Sequence, residues 1–118
     1  MVTYMDGIAS RLPLREPTFL ILLSLAPGPK HGYAILKEVE ALSEGRVQLS
    51  TGTLYGAVKR LLDDGWIQRV SDPLPNETIR ARKAYALTEQ GRRALNAEVR
   101  RLDKLVSVAL AQTADEAR

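Results

Sequence analysis

The 118-residue chain contains no cysteine. That removes structural disulfides, thiolate zinc sites and cysteine nucleophiles, and it suits a reducing compartment. Aromatic residues are few at 5%, with one tryptophan and one phenylalanine, and there is a single histidine. A lone histidine without cysteine or nearby carboxylate partners makes a poor metal site, so no metal or other cofactor is expected at His31. Long apolar runs are missing too. The most apolar stretch, Phe19 to Leu25, is interrupted by Ser24 and ends at Ala26-Pro27-Gly28-Pro29. A membrane span needs roughly 20 apolar residues, so this segment reads as a buried helix and no membrane partner is expected. The start, Met1 to Gly7, lacks a basic region followed by an apolar one, so no secretory leader is expected and a cytoplasmic location is. The features of an enzyme are lacking as well: no Gly-rich phosphate loop, no nucleophile paired with a histidine, no carboxylate cluster. Asp63-Asp64 ends an apolar helical pattern and reads as a stop. The chain is expected not to be an enzyme.

What is present is a series of short amphipathic segments without repeats or an interdomain linker. Residues 1–15 show little periodicity and read as an N-terminal arm, either loose or forming a short irregular helix. Pro17 fits the first position of a helix whose apolar residues, Phe19 to Leu25, cover nearly its whole circumference, so it must be enclosed on several sides. Pro27-Gly28-Pro29 ends it. A second helix is expected from His31-Gly32-Tyr33, with Ile35, Val39 and Leu42 forming one stripe that Leu36 widens. Gly45 closes it, and Val47-Gln48-Leu49 alternates like a very short strand. Ser50 is a natural N-cap for a third helix whose inner face is Leu54, Val58, Leu61 and Leu62. Strands are expected at Trp66 to Val70 and Lys83 to Leu87. The segment between them holds Pro73 and Pro75, which rules out a two-residue turn and predicts a long hairpin tip. Thr88 then caps a long last helix. Gly91 inside it costs about 1 kcal/mol relative to alanine, which points to a close packing contact. Leu95, Val99, Leu102, Val106 and Ala109 step by four, three, four and three, a coiled-coil spacing, with fraying expected from about residue 111.

The predicted order is helix, helix, short strand, helix, strand, wing, strand, long helix. This is a mainly α chain with a small β-wing (α+β): a winged helix-turn-helix over 16–88 after an arm at 1–15, and a long C-terminal helix over 89–118. A helix-turn-helix places its second helix in the DNA major groove, about 12 Å wide. The third helix here suits that position. Thr51, Gly52 and Thr53 at its start are small, allowing close approach to a phosphate, and Tyr55, Lys59 and Arg60 reach toward bases or the backbone. Arg80, Arg82 and Lys83 place three cations on the wing. The net charge is only +3, so the argument rests on where the cations sit. Taken singly, such cations are usually solvated. Taken together they favour double-stranded DNA over the alternative, a winged-helix protein-interaction module without DNA binding.

Four stretches resemble the PadR family of transcriptional regulators. Leu22-Leu23-Ser24-Leu25 running into His31-Gly32-Tyr33-Ala34-Ile35 is similar to the family's first helix and its His-Gly-Tyr signature. Leu49-Ser50-Thr51-Gly52-Thr53-Leu54-Tyr55 resembles its Gly-Thr-Leu-Tyr recognition-helix start. Leu61-Leu62-Asp63-Asp64-Gly65-Trp66-Ile67 resembles its helix exit, and Lys83-Ala84-Tyr85-Ala86-Leu87-Thr88-Glu89-Gln90-Gly91 its wing return. The resemblance covers roughly residues 18 to 95. It implies a homodimeric repressor on a palindromic operator, with the last helix forming the dimer as in the short subclass. It implies DNA contacts at Tyr33, Thr51, Gly52, Thr53, Tyr55 and Lys59, with Arg60, Arg80, Arg82 and Lys83 beside them. It assigns Leu95, Val99, Leu102, Val106 and Ala109 to the dimer seam; the other reading is packing on the first helix of the same chain. It also implies a small-molecule inducer at the dimer interface. Some short-subclass members sandwich flat molecules between tryptophans of the last helix, but residues 89 to 118 here hold no aromatic. The only tryptophan, Trp66, reads instead as an anchor of the wing.

Overall fold

The computed structural model describes residues 7–71 and 83–116. Helix α1 (Glu16–Ser24) carries Pro17 at its second position, one later than expected, where a missing N–H still costs nothing. Leu20, Ile21, Leu22 and Leu25 are buried around its circumference, as the sequence required. Ser24 is buried among them because its hydroxyl donates to the Ile21 carbonyl at 2.7 Å. Each of these large side chains contributes roughly 1.5–3 kcal/mol by leaving water, so α1 is the axis on which the rest is assembled. Its neighbours are α2 (Gly32–Leu42) and α4 (Glu89–Glu116).

Helix α2 buries Ile35 and Val39. Leu42, expected on the same stripe, stays exposed: it is the last residue of the helix, and the core ends one turn earlier. The helix ends in a left-handed turn at Glu44 (φ +54°), whose N–H donates to the Ala41 carbonyl at 3.1 Å, and Gly45 follows at φ +82°, its N–H donating to the Glu40 carbonyl at 2.8 Å. The segment after it is not a strand. Val47 and Leu49 lean against the core, and the Val47 N–H donates to the Ser43 hydroxyl at 2.9 Å. Alternation over three residues sets a facing pattern, but a ladder also needs a partner strand. The short strand of this fold lies earlier, at β1 (Lys30–His31), where β3 (Ala84–Leu87) offers an edge: Lys30 pairs with Tyr85 and His31 with Ala84. Strand β2 (Ile67–Val70) pairs with the other edge of β3, Ile67 opposite Leu87 and Val70 opposite Ala84. The sheet is antiparallel in the order β1-β3-β2.

Helix α3 (Thr51–Asp63) begins at Ser50, whose hydroxyl accepts the Thr53 N–H at 3.1 Å. Leu54, Ala57, Val58 and Leu61 form its buried face. Gly65, at φ +78°, turns the chain into Trp66, which is buried at the base of the wing as expected. Thr88 then joins three elements. Its N–H donates to the Trp66 carbonyl at 3.1 Å, its hydroxyl donates to the Gly65 carbonyl at 2.6 Å, and the same hydroxyl accepts the Gly91 N–H at 3.0 Å. A Cβ on Gly91 would lie 1.9 Å from the Trp66 carbonyl oxygen. That is the close approach its place in a helix implied.

The 28 residues of α4 make it about 42 Å long. Ala94, Leu95 and Glu98 on its first half are buried, whereas every residue from Asp103 to Ala114 is exposed. The fraying expected from about residue 111 does not occur: the helix runs to Glu116, helped by alanine, leucine and glutamine of high helix propensity. Residues 7–9 are helical, and Ile8 is buried in the core, so the expected arm is packed on the body over the part that is described.

Candidate nucleic-acid interface

At about 100° per residue, α3 turns Gly52, Gly56, Lys59 and Asp63 to the crest opposite its buried face, with Thr51 and Tyr55 on one flank and Thr53 and Arg60 on the other. Nothing lies within 4 Å of a Cβ built on Gly52, so the crest at the helix start is low and open. Thr51 and Thr53 are exposed there. The Thr53 hydroxyl also accepts from the Ser50 hydroxyl at 2.9 Å and so belongs to the helix cap.

The Tyr55 flank meets the start of α2. A Cβ on Gly32 would lie 2.3 Å from the Tyr55 hydroxyl, so glycine at that position is what lets the ring lie across α2. Tyr55 remains 44% exposed and Tyr33 69%, and the Lys37 ammonium is 5.9 Å from the Tyr33 ring centroid. His31, Gly32, Tyr33, Tyr55 and Lys83 together wall an open cavity of about 460 Å³. His31 occupies the N-cap of α2 through its backbone, and its ring makes no capping hydrogen bond.

A second cavity of about 370 Å³ runs between α3 and the sheet, and Tyr55, Lys59, Asp63, Arg69 and Lys83 are among its walls. Arg69, on β2 opposite Tyr85, was not singled out by the sequence. The signal was available: in a strand whose Ile67 faces inward, the wing-base cation lies within reach of Lys83 once the register is known. Lys59 is held by Asp63 at 3.3 Å, an exposed i,i+4 pair of the kind worth about 0–1 kcal/mol. Lys59, Arg69, Lys83, Tyr33 and Tyr55 thus share one surface, centred on the Tyr55 flank of α3. Arg60 lies on the other flank, in a cavity with Arg11 and Arg15. Arg80 and Arg82 fall outside the described residues.

The residues expected at a dimer seam divide. Leu95 is 4% exposed, within the protomer's own core. Val99, Val106 and Ala109 are exposed and Leu102 half-buried. Leu105 and Leu110, not picked out by the heptad spacing, add exposed apolar surface to the same half of the helix. Glu98 was also missed. It is buried, and its carboxylate accepts two hydrogen bonds from Arg101, at 2.6 and 3.0 Å, and one from the Leu14 N–H at 3.0 Å. The Arg101 guanidinium, aided by the Leu14 N–H, holds this carboxyl below its ordinary range against the opposing effect of burial. On the surface, Arg46 lowers the Glu16 carboxyl in the same way. Among the described residues there is no group of three or more potential metal ligands, and no helix is long and apolar enough to cross a membrane.

An apolar three-helix core, a three-stranded antiparallel sheet and an open crest on α3 define a winged-helix protein with an extended C-terminal helix. The transcriptional regulator PadR-like family model matches residues 21–97, and the chain belongs to that family. Among solved structures, a PadR family transcription regulator from Clostridium difficile R20291 has the same fold, with a TM-score of 0.67 at 23% identity over 84% of this chain and 98% of that one. Bacillus subtilis PadR, solved in complex with operator DNA, superposes with a TM-score of 0.62 at 25% identity, over 72% of this chain and 47% of that one. A 37.1 kDa protein of transposon TN4556 from Streptomyces fradiae is 36% identical over 90 residues. The chain matches 76% of its own length there but spans only 24% of that relative.

Proposed function

We propose that this PadR-family transcriptional regulator is a repressor that binds a palindromic operator as a homodimer. The observation that carries the reading is the convergence of Tyr33, Tyr55, Lys59, Arg69 and Lys83 on one exposed surface beside the open crest of α3. The Bacillus subtilis relative in complex with operator DNA supports it. In this reading residues 16–88 are the DNA-binding unit. Thr51, Gly52 and Thr53 approach the backbone at the helix start, Tyr55 and Lys59 enter the groove, and Tyr33, Arg69 and Lys83 hold phosphates alongside, with Arg80 and Arg82 on the wing. Residues 89–118 form the dimer through Val99, Leu102, Val106 and Ala109, extended by Leu105 and Leu110. The protein acts in the cytoplasm, performs no catalysis, and is released by a small-molecule inducer bound between the protomers. Such an inducer must bind one dimer geometry better than the other, because equal binding shifts nothing.

The test is a mobility shift with the DNA upstream of the protein's own gene, in the presence of excess nonspecific competitor. A specific shift that is lost on combined Lys59→Gln, Arg69→Gln and Lys83→Gln, with the dimer intact, is the expected result. Absence of any shift at low salt, even with random DNA, overturns the reading in favour of a protein-interaction module. A thermal-shift screen of small aromatic and cationic compounds without a hit counts against the inducer.

A further inference from the structure

On the flank of α3 away from Tyr55, the chain before α1, the first turn of α1 and the end of α3 enclose a cavity of about 130 Å³. Its polar walls are Arg11, Arg15, Thr18, Arg60 and Asp64, and Trp66 also lines it. Three guanidinium groups share the space with one carboxylate, which leaves two positive charges. The pairing is already settled for one of them. Arg11 donates to Asp64 at 2.8 Å and lies 4.8 Å over the Trp66 ring. The side chains of Arg15 and Arg60 have no ion-pair or hydrogen-bond partner among the described residues. Two guanidinium groups without a carboxylate partner at one recess leave room for an anion to bind between them.

We propose that this recess is an oxyanion site that takes a phosphoryl group between Arg15 and Arg60. Both groups present planar forks of N–H donors, which match paired phosphate oxygens in a way an ammonium does not. Thr18 supplies a neutral hydroxyl, and its place in the first turn of α1 adds the positive end of that helix. The same chemistry has two sources. A helix lying in the major groove has a phosphate wall on each side. Lys59, Arg69 and Lys83 face one wall, and Arg60 with Arg15 face the other; this source rests on the proposed DNA reading. The second source is a free phosphorylated small molecule, which does not depend on that reading.

Trp66, the single tryptophan, makes the site observable. Fluorescence is followed while inorganic phosphate replaces chloride at constant ionic strength, in wild type and in Arg15→Gln/Arg60→Gln. In parallel, the affinity for a random-sequence duplex is measured against salt for both proteins and for Lys59→Gln/Lys83→Gln. Arg15 and Arg60 are exposed, so the melting curve of the variant should match wild type; Arg15→Lys/Arg60→Lys, which keeps the charge and removes the fork, serves as a second variant. A saturable phosphate response, lost in the Arg15/Arg60 variant and weakened by lysine, establishes the free oxyanion. An unresponsive fluorescence with a log–log salt slope reduced by about 0.9 for the one phosphate contact each protomer loses, roughly two for a dimer, establishes the DNA backbone. An unchanged slope together with no phosphate saturation overturns the site. If wild type binds no duplex at all, the DNA reading fails, and the phosphate titration alone then decides: saturation upholds the site and its absence overturns it.

Discussion

Two residues of α4 show how single atoms fix the packing of this protein. At Gly91 the obstacle to a side chain is the Trp66 carbonyl, which also accepts the Thr88 N–H. A backbone atom tied into the wing cannot swing aside. Alanine in a helix normally gains about 1 kcal/mol over glycine, but overpacking costs about 1–3 kcal/mol. Backbone contact at 1.9 Å puts this site at the upper end. Gly91→Ala is therefore expected to lose on the order of 2 kcal/mol, read as a lower urea midpoint at an unchanged m-value; a higher midpoint would show that wing and helix separate freely. Glu98 acts through charge. Its carboxyl is lowered chiefly by hydrogen bonds from Arg101, so its folded pKa lies below its unfolded one. The stability it contributes is complete above the unfolded value, about 4.3, and is lost as the pH falls through the folded value. Glu98→Gln should cost about 1–3 kcal/mol at neutral pH and flatten the acid limb of the stability profile. A variant as acid-sensitive as wild type would assign that limb to other carboxylates.

The elements that were legible in the sequence are those whose signals are local. Ser50 caps α3, Gly45 and Gly65 turn the chain at positive φ, and Thr88 opens α4, each through contacts a few residues away. Strand β1 was not legible, because two residues carry no pattern and its existence depends on Tyr85 and Ala84 more than fifty positions later. The same distance hid the roles of Arg11 and Glu98, which depend on contacts across the fold. Helix α4 shows the limit most clearly. Periodicity shows which face is apolar but not where the body beneath it ends, so Leu95 and Val106 read alike although one is buried and the other 52% exposed. This difference is testable within one element. Leu95→Ala should destabilise the protomer by about 2–5 kcal/mol. Val106→Glu should leave the fold melting almost unchanged and convert a dimer to a monomer in sedimentation. A monomeric wild type, or a Val106→Glu dimer, would remove the distal half of α4 from the assembly.

Across the whole molecule the net charge is only +3, too small to hold DNA through a general attraction, so the proposed DNA binding rests on local fields. The field over the Tyr55 flank of α3 is set by Lys59, Arg69 and Lys83, and opposed by one acid, Asp63, which holds Lys59 at 3.3 Å. Reaching a phosphate requires Lys59 to leave that pair. The pair is exposed, so breaking it costs at most about 1 kcal/mol, but in the proposed complex Asp63 would then stand beside the DNA backbone as an uncompensated negative charge. Asp63→Asn removes both the competition and the repulsion. In the proposed complex it is expected to tighten duplex binding severalfold at low salt, for specific and random sequences alike, because the negative field of the phosphates acts on Asp63 whatever the base sequence. The gain should shrink as salt rises, since a field between exposed groups is screened within about 8–10 Å at physiological ionic strength. Combined with Lys59→Gln the gain should be partly lost, because part of it comes from releasing that lysine. An affinity unchanged by Asp63→Asn at low salt would place the phosphate wall beyond the end of α3 and shift the contact surface toward Thr51, Tyr55 and the start of α2.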